Sequence, residues 1–209
     1  MDKIRVIRII CFSVIFGLIG WGVIYYQMKK SQPVAMVASK SSTGQAQLGG
    51  PFELRDQHGR IRNNREFQGK YMLVYFGYSY CPDICPLGLQ NMSDCLKQLK
   101  RDRAQVAPIF ITVDPERDTP EQLKIYAQHF HPSFVMLSGN RRRVDKAIKG
   151  YKVYAAKVED ESSTEYLVDH STMIYLMDRQ GNFLEAFPHT TEPGKLAKAI
   201  EKRLMAEMG

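Results

Sequence analysis

The strongest constraint on the fold is an apolar strand that runs directly into a pair of cysteines. Residues 71–77, YMLVYFG, form an apolar run of the length and composition typical of a buried strand. Cys81 and Cys85 follow in the segment CPDICP, where apolar residues begin to recur at helical spacing. The sequence therefore predicts a strand-to-helix connection that presents two thiols.

The spacing of the two cysteines limits their chemistry. Residues four apart share one face of a helix, about one turn apart, so both sulfurs can meet each other or one metal ion. The N–H groups and the positive dipole end at a helix start favour thiolate, which is both a nucleophile and a soft ligand. This predicts dithiol redox chemistry, soft-metal binding, or both.

The sequence disfavours two other interpretations of the pair. A structural disulfide or a pair of packed core residues is disfavoured, because Pro82 and Pro86 bracket the cysteines in a turn that presents side chains. A closed four-ligand zinc site is disfavoured, because the chain lacks a second two-ligand motif such as C-x-x-C.

The N-terminus predicts a membrane anchor. Residues 9–26 are uncharged and mainly apolar, with Lys and Arg before them, Lys29 and Lys30 after them, and Trp21 toward one end. We expect residues 1–30 to form a single anchor in contact with lipid, residues 31–50 a flexible linker, and residues 51–209 a folded domain. A cleavable signal peptide ending near Ala35 or Ala38 is the alternative.

Composition and charge narrow the class of protein. With 44% hydrophobic and 24% charged residues, the chain can bury a core, and its four cysteines are too few for a disulfide scaffold. The net charge of +7 is diffuse, without the alternation of basic and aromatic residues that would indicate nucleic-acid binding. A diffuse positive charge is better matched by anionic lipid or by an acidic protein partner.

Beyond the cysteines, strands and helices alternate, which predicts a three-layer α/β sandwich. The expected elements are a hairpin within 51–62, a helix over about 86–102, a strand over 106–113, a helix from the Thr119 cap and Gln122 capping box to about 130, a strand over 134–137, a helix over 140–149, a strand over 151–158, a return strand over 165–178, a hairpin strand ending at 187 and a final helix over 193–208.

The remaining candidate ligands have simpler interpretations. His58 is interpreted as a turn residue, His129 and His131 as imidazoles in a last helical turn, and Cys95 as a packed thiol beside an apolar stripe. By spacing alone His170 is a strand-edge histidine, because 85 positions separate it from Cys85.

Three separated motifs, GYSYCPDICP, VDPERDTPEQL and VDHSTMIYLMD, resemble those of the Sco/SenC family of thioredoxin-like copper-delivery factors, over about residues 49–208. The resemblance implies a central mixed sheet and one copper ion, Cu(I) or Cu(II). It implies that Cys81, Cys85 and His170 are the metal ligands and that the two cysteines are also a redox pair. Thiolate and imidazole donors are suited to copper on general grounds.

The resemblance further implies a metallochaperone that assists assembly of the binuclear copper centre of cytochrome c oxidase, with the copper-accepting oxidase subunit as its partner. An enzyme-like thiol-disulfide reductase that keeps the partner's cysteines reduced, or a redox or copper sensor, are the alternatives. The expected location is the inner membrane with the folded domain in the periplasm, or the mitochondrial inner membrane facing the intermembrane space. The short N-terminus favours the bacterial location.

Overall fold

A seven-stranded mixed sheet forms the centre of the fold. The structure is a computed structural model that describes residues 48–158 and 166–208. The predicted anchor and residues 31–47 of the predicted linker lie outside these ranges. Within them, no helix combines the length and the apolar character that crossing a bilayer requires.

The strands of the structure fall into two sheets. They are β1 (Glu53–Asp56), β2 (Ile61–Asn63), β3 (Tyr71–Gly77), β4 (Val106–Thr112), β5 (Val135–Ser138), β6 (Ala155–Val158), β7 (Leu167–His170), β8 (Met173–Met177) and β9 (Phe183–Pro188). The large sheet has the order β2-β1-β5-β4-β3-β8-β9, with β3, β4 and β5 parallel to one another and the other pairs antiparallel. The β6 and β7 strands form a separate antiparallel pair.

Within the described ranges, four α-helices accompany the sheets: α1 (Ile84–Gln98), α2 (Pro120–Ala127), α3 (Arg141–Gly150) and α4 (Pro193–Met208). The start of α2 follows its sequence signals, because the Thr119 hydroxyl accepts the N–H of Gln122 at 3.3 Å and Pro120 occupies the first position. The predicted capping box is wrong in one respect, since the Gln122 amide donates instead to Ser79 Oγ at 3.4 Å.

Both faces of the sheet are covered, which explains why β3 and β4 are buried along their whole length. On one face, the Tyr71 hydroxyl donates to Glu207 of α4, and the Tyr75 ring lies against Gly88 of α1. On the other face, the Phe76 ring contacts the ring of Tyr151, which ends α3, at 5.1 Å between centroids. The predicted mixed α/β architecture is therefore confirmed.

Two predicted helices have other boundaries in the structure. Helix α1 begins two residues earlier and ends at Gln98 rather than near residue 102. Helix α2 ends at Ala127, because the next N–H groups bond three residues back, which tightens the chain into a turn. His129 and His131 therefore lie after the helix, and His131 Nδ1 lies 2.7 Å from Ser133 Oγ. His58 lies in the turn between β1 and β2, as predicted.

Two predicted strands also differ from those of the structure. Residues 151–153 are not part of a strand, because the N–H groups of Tyr151 and Val153 still bond to carbonyls of α3. The single return strand predicted over 165–178 is two strands, β7 and β8, which belong to different sheets and separate at Ser171–Thr172. This break sets His170 apart from the main sheet.

Candidate metal centre

The candidate site lies where two parallel strands end. β3 and β4 are paired from Tyr71 with Val106 to Gly77 with Thr112, so their carboxyl ends meet at one edge of the sheet. The loops that leave these ends carry the CPDICP and DPERDTP motifs. Ligand sites commonly form at this edge of a parallel sheet, because loops from neighbouring strands converge there.

The two cysteines are brought together by a turn and not by a shared helix face. Cys81 precedes Pro82, which disfavours helical backbone at the preceding residue, and α1 begins only at Ile84. Cys85 lies in the first turn of α1, where Pro86 loses no intrahelical hydrogen bond. The predicted i, i+4 helical geometry is therefore wrong, although both thiols do lie at the helix start.

The Cys85 sulfur occupies space that a glycine leaves open at the end of β3. A Cβ atom placed on Gly77 would lie 2.6 Å from Cys85 Sγ, 3.1 Å from the Phe110 ring and 3.3 Å from the Tyr75 ring. Cys85 is completely buried in this packing, whereas Cys81 retains 8% of its exposed surface. Glycine at position 77 thus fixes how deeply the second sulfur sits.

His170 reaches the cysteines from the end of β7. Its Nε2 lies 3.2 Å from Cys85 Sγ, and its Nδ1 lies 3.0 Å from the carbonyl oxygen of Ser171. A carbonyl oxygen only accepts hydrogen bonds, so Nδ1 donates to it, and Nε2 is the ring nitrogen that faces the sulfurs. The edges of Tyr75 and Tyr78 hold the imidazole at centroid distances of 6.4 and 5.8 Å.

The donor atoms of Cys81, Cys85 and His170 all lie within 4.8 Å of one another. A trigonal metal ion with bonds of about 2.0–2.3 Å holds its donors roughly 3.5–4 Å apart, so small movements suffice to close the site around an ion. Among the described residues no fourth His, Cys, Asp or Glu joins this group. Two thiolates and one imidazole are a donor set consistent with copper binding.

The two thiols differ in their electrostatics. A hydrogen bond from the Cys85 thiol, and further ones from His170 and the backbone N–H groups of Cys85 and Asp83, lower the pKa of Cys81 to about 4. Burial raises the pKa of Cys85, and the neighbouring Cys81 thiolate adds to that effect. The pair therefore holds one thiolate on Cys81 and one proton on Cys85 near neutral pH.

This difference predicts a specific order of alkylation. The rate of Cys81 alkylation by iodoacetamide should already be at its plateau at pH 6, because its thiolate forms well below the pKa of about 8.5 of a free thiol. Burial raises the pKa of Cys95 to about 12, so Cys95 should stay unmodified until the protein unfolds. Peptide mapping by mass spectrometry from pH 5 to pH 9 measures each rate. Equal rates for the three cysteines would contradict this assignment.

A network that the sequence did not predict attaches β7 to the sheet edge. The guanidinium of Arg117 lies 3.8 Å from the ring centre of Tyr166 and forms an ion pair with Asp114 at 2.6 Å. The Tyr166 hydroxyl donates to the carboxylate of Asp114 at 2.9 Å. The only signal in the sequence is the density of polar residues in DPERDTP directly after a buried strand.

A second buried contact holds the loop before Cys81. The Asp118 carboxylate accepts the Ser79 hydroxyl at 2.6 Å, the Ser79 N–H at 3.1 Å and the Thr112 hydroxyl at 2.6 Å. Burial raises the pKa of Asp118 despite these hydrogen bonds. The end of β4 and the cysteine loop are thus joined through one carboxyl group.

The other candidate ligands lie outside the cluster. Cys95 is fully buried in the core on α1, as predicted, and His58, His129 and His131 are not among the grouped donors. His170 is the residue that spacing alone did not assign to the site and that the motif resemblance did.

The fold and the cluster together define a thioredoxin-like protein with a Cys-Cys-His group at the carboxyl edge of its central sheet. A family model for SCO1/SenC matches residues 40–205. The chain therefore belongs to the SCO1/SenC family, and the resemblance of the three motifs is confirmed.

Individual relatives cover most of the chain. The SCO2-like protein of Rickettsia felis is 38% identical over 200 residues, which are 94% of this chain and 97% of that protein. The copper-bound structure of ScoI from Bradyrhizobium japonicum is 41% identical, with a TM-score of 0.70 over 74% of this chain and 98% of that one. The copper-bound ScoI from Arabidopsis thaliana is 35% identical, with a TM-score of 0.71 over 76% and 99%.

Proposed function

We propose that this protein is a membrane-anchored copper chaperone that binds one copper ion through Cys81, Cys85 and His170. The observation that carries the proposal is the convergence of three soft or borderline donors within 4.8 Å, from segments 85 positions apart. The copper-bound structures of the two ScoI relatives support copper as the ion. The motif resemblance supports the binuclear copper centre of cytochrome c oxidase as the destination.

The donor set suits transfer of the ion. A thiolate at Cys81 is available near neutral pH without an external base, while Cys85 releases its proton when the ion binds. Three protein donors leave room for an incoming ligand, so the ion can pass to a partner by ligand exchange. The Nδ1 hydrogen bond to the Ser171 carbonyl orients the imidazole for this role.

Copper titration of the purified full-length chain tests the proposal. The reduced protein should bind about one copper ion per chain, and the protein oxidised to the Cys81–Cys85 disulfide should bind almost none, because a disulfide provides no thiolate. Metal analysis after gel filtration gives the stoichiometry. Equal copper content in the two forms, or none in either, would contradict the proposed site.

A thiol-disulfide reductase is the second candidate, and the contrast between the two cysteines favours it. Cys81, with 8% of its surface accessible, is the thiolate that can attack a target disulfide, and the fully buried Cys85 is the thiol that can resolve the mixed disulfide. Both activities use the same sulfurs. They differ in their need for His170.

The proposed location is the inner membrane, with the folded domain in the periplasm or, in a mitochondrion, in the intermembrane space. Because residues 9–26 are uncharged over a length that spans a bilayer, the native protein should stay with the membrane pellet after washing with alkaline carbonate. Immunoblotting of pellet and supernatant measures this. Recovery of a soluble form that begins near Ala38 would show instead that the segment is a cleaved signal peptide.

A further inference from the structure

A cleft of about 220 Å³ opens beside the Cys-Cys-His group. The loop from Tyr78 to Ile84 forms one wall, and β7 with Thr172 forms the other. Cys81 and His170 line this cleft, while Cys85 lies beneath it. Any molecule that approaches the cluster from this side meets the Cys81 sulfur and the backbone of β7.

One edge of β7 faces this cleft with unpaired backbone groups. The Ser171 N–H donates to Tyr154 at 3.0 Å, on the β6 side, whereas the Val168 N–H donates to the Tyr78 hydroxyl at 3.2 Å. Backbone groups alternate in direction along a strand, so the C=O of Val168 and the N–H and C=O of His170 also point away from β6. Within residues 48–158 and 166–208, these three groups have no hydrogen-bond partner.

The rim of the cleft combines apolar and acidic side chains. Ile84 and Leu167 stand on opposite walls and are 41% and 42% exposed. Asp83 and Asp169 are exposed on the same two walls, and neither forms an ion pair with another residue in the described part of the chain. Apolar side chains beside unpaired carboxylates complement a ligand that is partly apolar and partly cationic.

We propose that the cleft binds an extended segment of a partner protein, which pairs as an added strand with the Val168 C=O and with the N–H and C=O of His170 on the edge of β7 that faces away from β6. The segment carries a cysteine that meets Cys81 Sγ, an apolar residue that packs on Ile84 and Leu167, and a Lys or Arg that faces Asp83 or Asp169. Strand addition satisfies the exposed backbone groups of an edge, and alternate side chains then give specificity. The inference deepens the proposed function and rests on it, since it states how the acceptor of the ion is recognised.

The test uses the reduced full-length chain in detergent and a fluorescein-labelled peptide, Lys-Val-Cys-Leu-Lys, with blocked ends. A set of peptides, each with one backbone N-methyl group, removes one N–H donor at a time. Methylation at alternate positions should weaken binding about tenfold, while methylation between them should change it less than about twofold. The peptide should also slow hydrogen exchange at the His170 amide. A uniform response to N-methylation, or no binding, would overturn the inference.

A charge comparison tests the acidic rim. Asp169→Asn should weaken binding of the Lys peptide severalfold and leave a peptide with Gln at both Lys positions unaffected. Asp102→Asn, beyond the other end of α1, is the matched control and should bind both peptides as the parent protein does. Equal affinity of the parent protein for the two peptides would overturn the cationic part of the inference.

Copper binding without peptide separates this inference from the proposed function. If the chain binds copper but the alternating N-methyl pattern is absent, the docking surface is wrong and the copper site stands. If the pattern is present and no copper binds, the docking surface stands and the metal site is wrong.

Discussion

Replacing His170 with alanine should weaken copper binding by roughly a hundredfold or more, with the larger loss for Cu(II). The substitution removes one of three donors, and Cu(II) depends more on imidazole nitrogen than Cu(I) does. Competition titrations with a chelator specific for each oxidation state measure both affinities. His129→Ala is the matched control, because His129 is an exposed imidazole that is not grouped with the cysteines.

The same variant distinguishes a chaperone from a reductase. Dithiol exchange needs only the two sulfurs, so His170→Ala should still form and break the Cys81–Cys85 disulfide. Oxidase copper content is then compared between cells carrying His170→Ala and cells carrying Cys81→Ser. Equal failure of oxidase assembly indicates that metal binding is the essential act. Normal assembly with His170→Ala, together with failed assembly with Cys81→Ser, would contradict the chaperone role and support the reductase role.

Replacing Gly77 with alanine should disrupt the site by displacing the Cys85 sulfur. The new methyl group would lie 2.6 Å from Cys85 Sγ, closer than van der Waals contact allows, and Phe110 and Tyr75 close the remaining directions. The Gly77 backbone is not in the left-handed region, so the effect comes from the side chain and not from dihedral strain. Overpacking of this kind costs about 1–3 kcal/mol of unfolding free energy, and the displaced sulfur should also weaken copper binding by about tenfold or more.

Urea denaturation and copper titration measure the two consequences separately. Gly194→Ala is the matched control, because its nearest neighbour is the flexible amide end of Gln98 at 3.3 Å, and alanine is the better helix former. A Gly77→Ala protein with parental stability and parental copper affinity would show that the Cys85 sulfur does not depend on this space.

The sequence predicted the parts of the fold that depend on local signals. The apolar runs that became β3 and β4, and the Thr119-Pro120 start of α2, act through residues close in sequence, so periodicity and capping found them. Periodicity placed the ends of α1 and α2 less well, because the last turns depend on hydrogen bonds that switch from four to three residues back.

The missed features depend on contacts between distant residues. Nothing near residue 170 indicates that β7 leaves the main sheet to pair with β6, since an alternating apolar pattern fits either sheet. The approach of His170 to Cys85 followed from the motif resemblance and not from spacing. The stacking of Arg117 on Tyr166 joins residues 49 positions apart, and a charged residue in a loop predicts no particular aromatic partner.

The separate β6–β7 pair has a consequence for the energetics of the whole domain. A two-stranded hairpin is only marginally stable in water, so the segment bearing His170 can open at a lower free-energy cost than the seven-stranded sheet. A copper ion bound as proposed would cross-link this segment to the cysteine loop and the start of α1, and would stabilise only its closed form. At a copper activity a hundred times the dissociation constant, mass action adds about 2.7 kcal/mol to that closed form. The loaded and empty proteins then differ in local order, and a partner that senses the hairpin can tell them apart without contacting the metal.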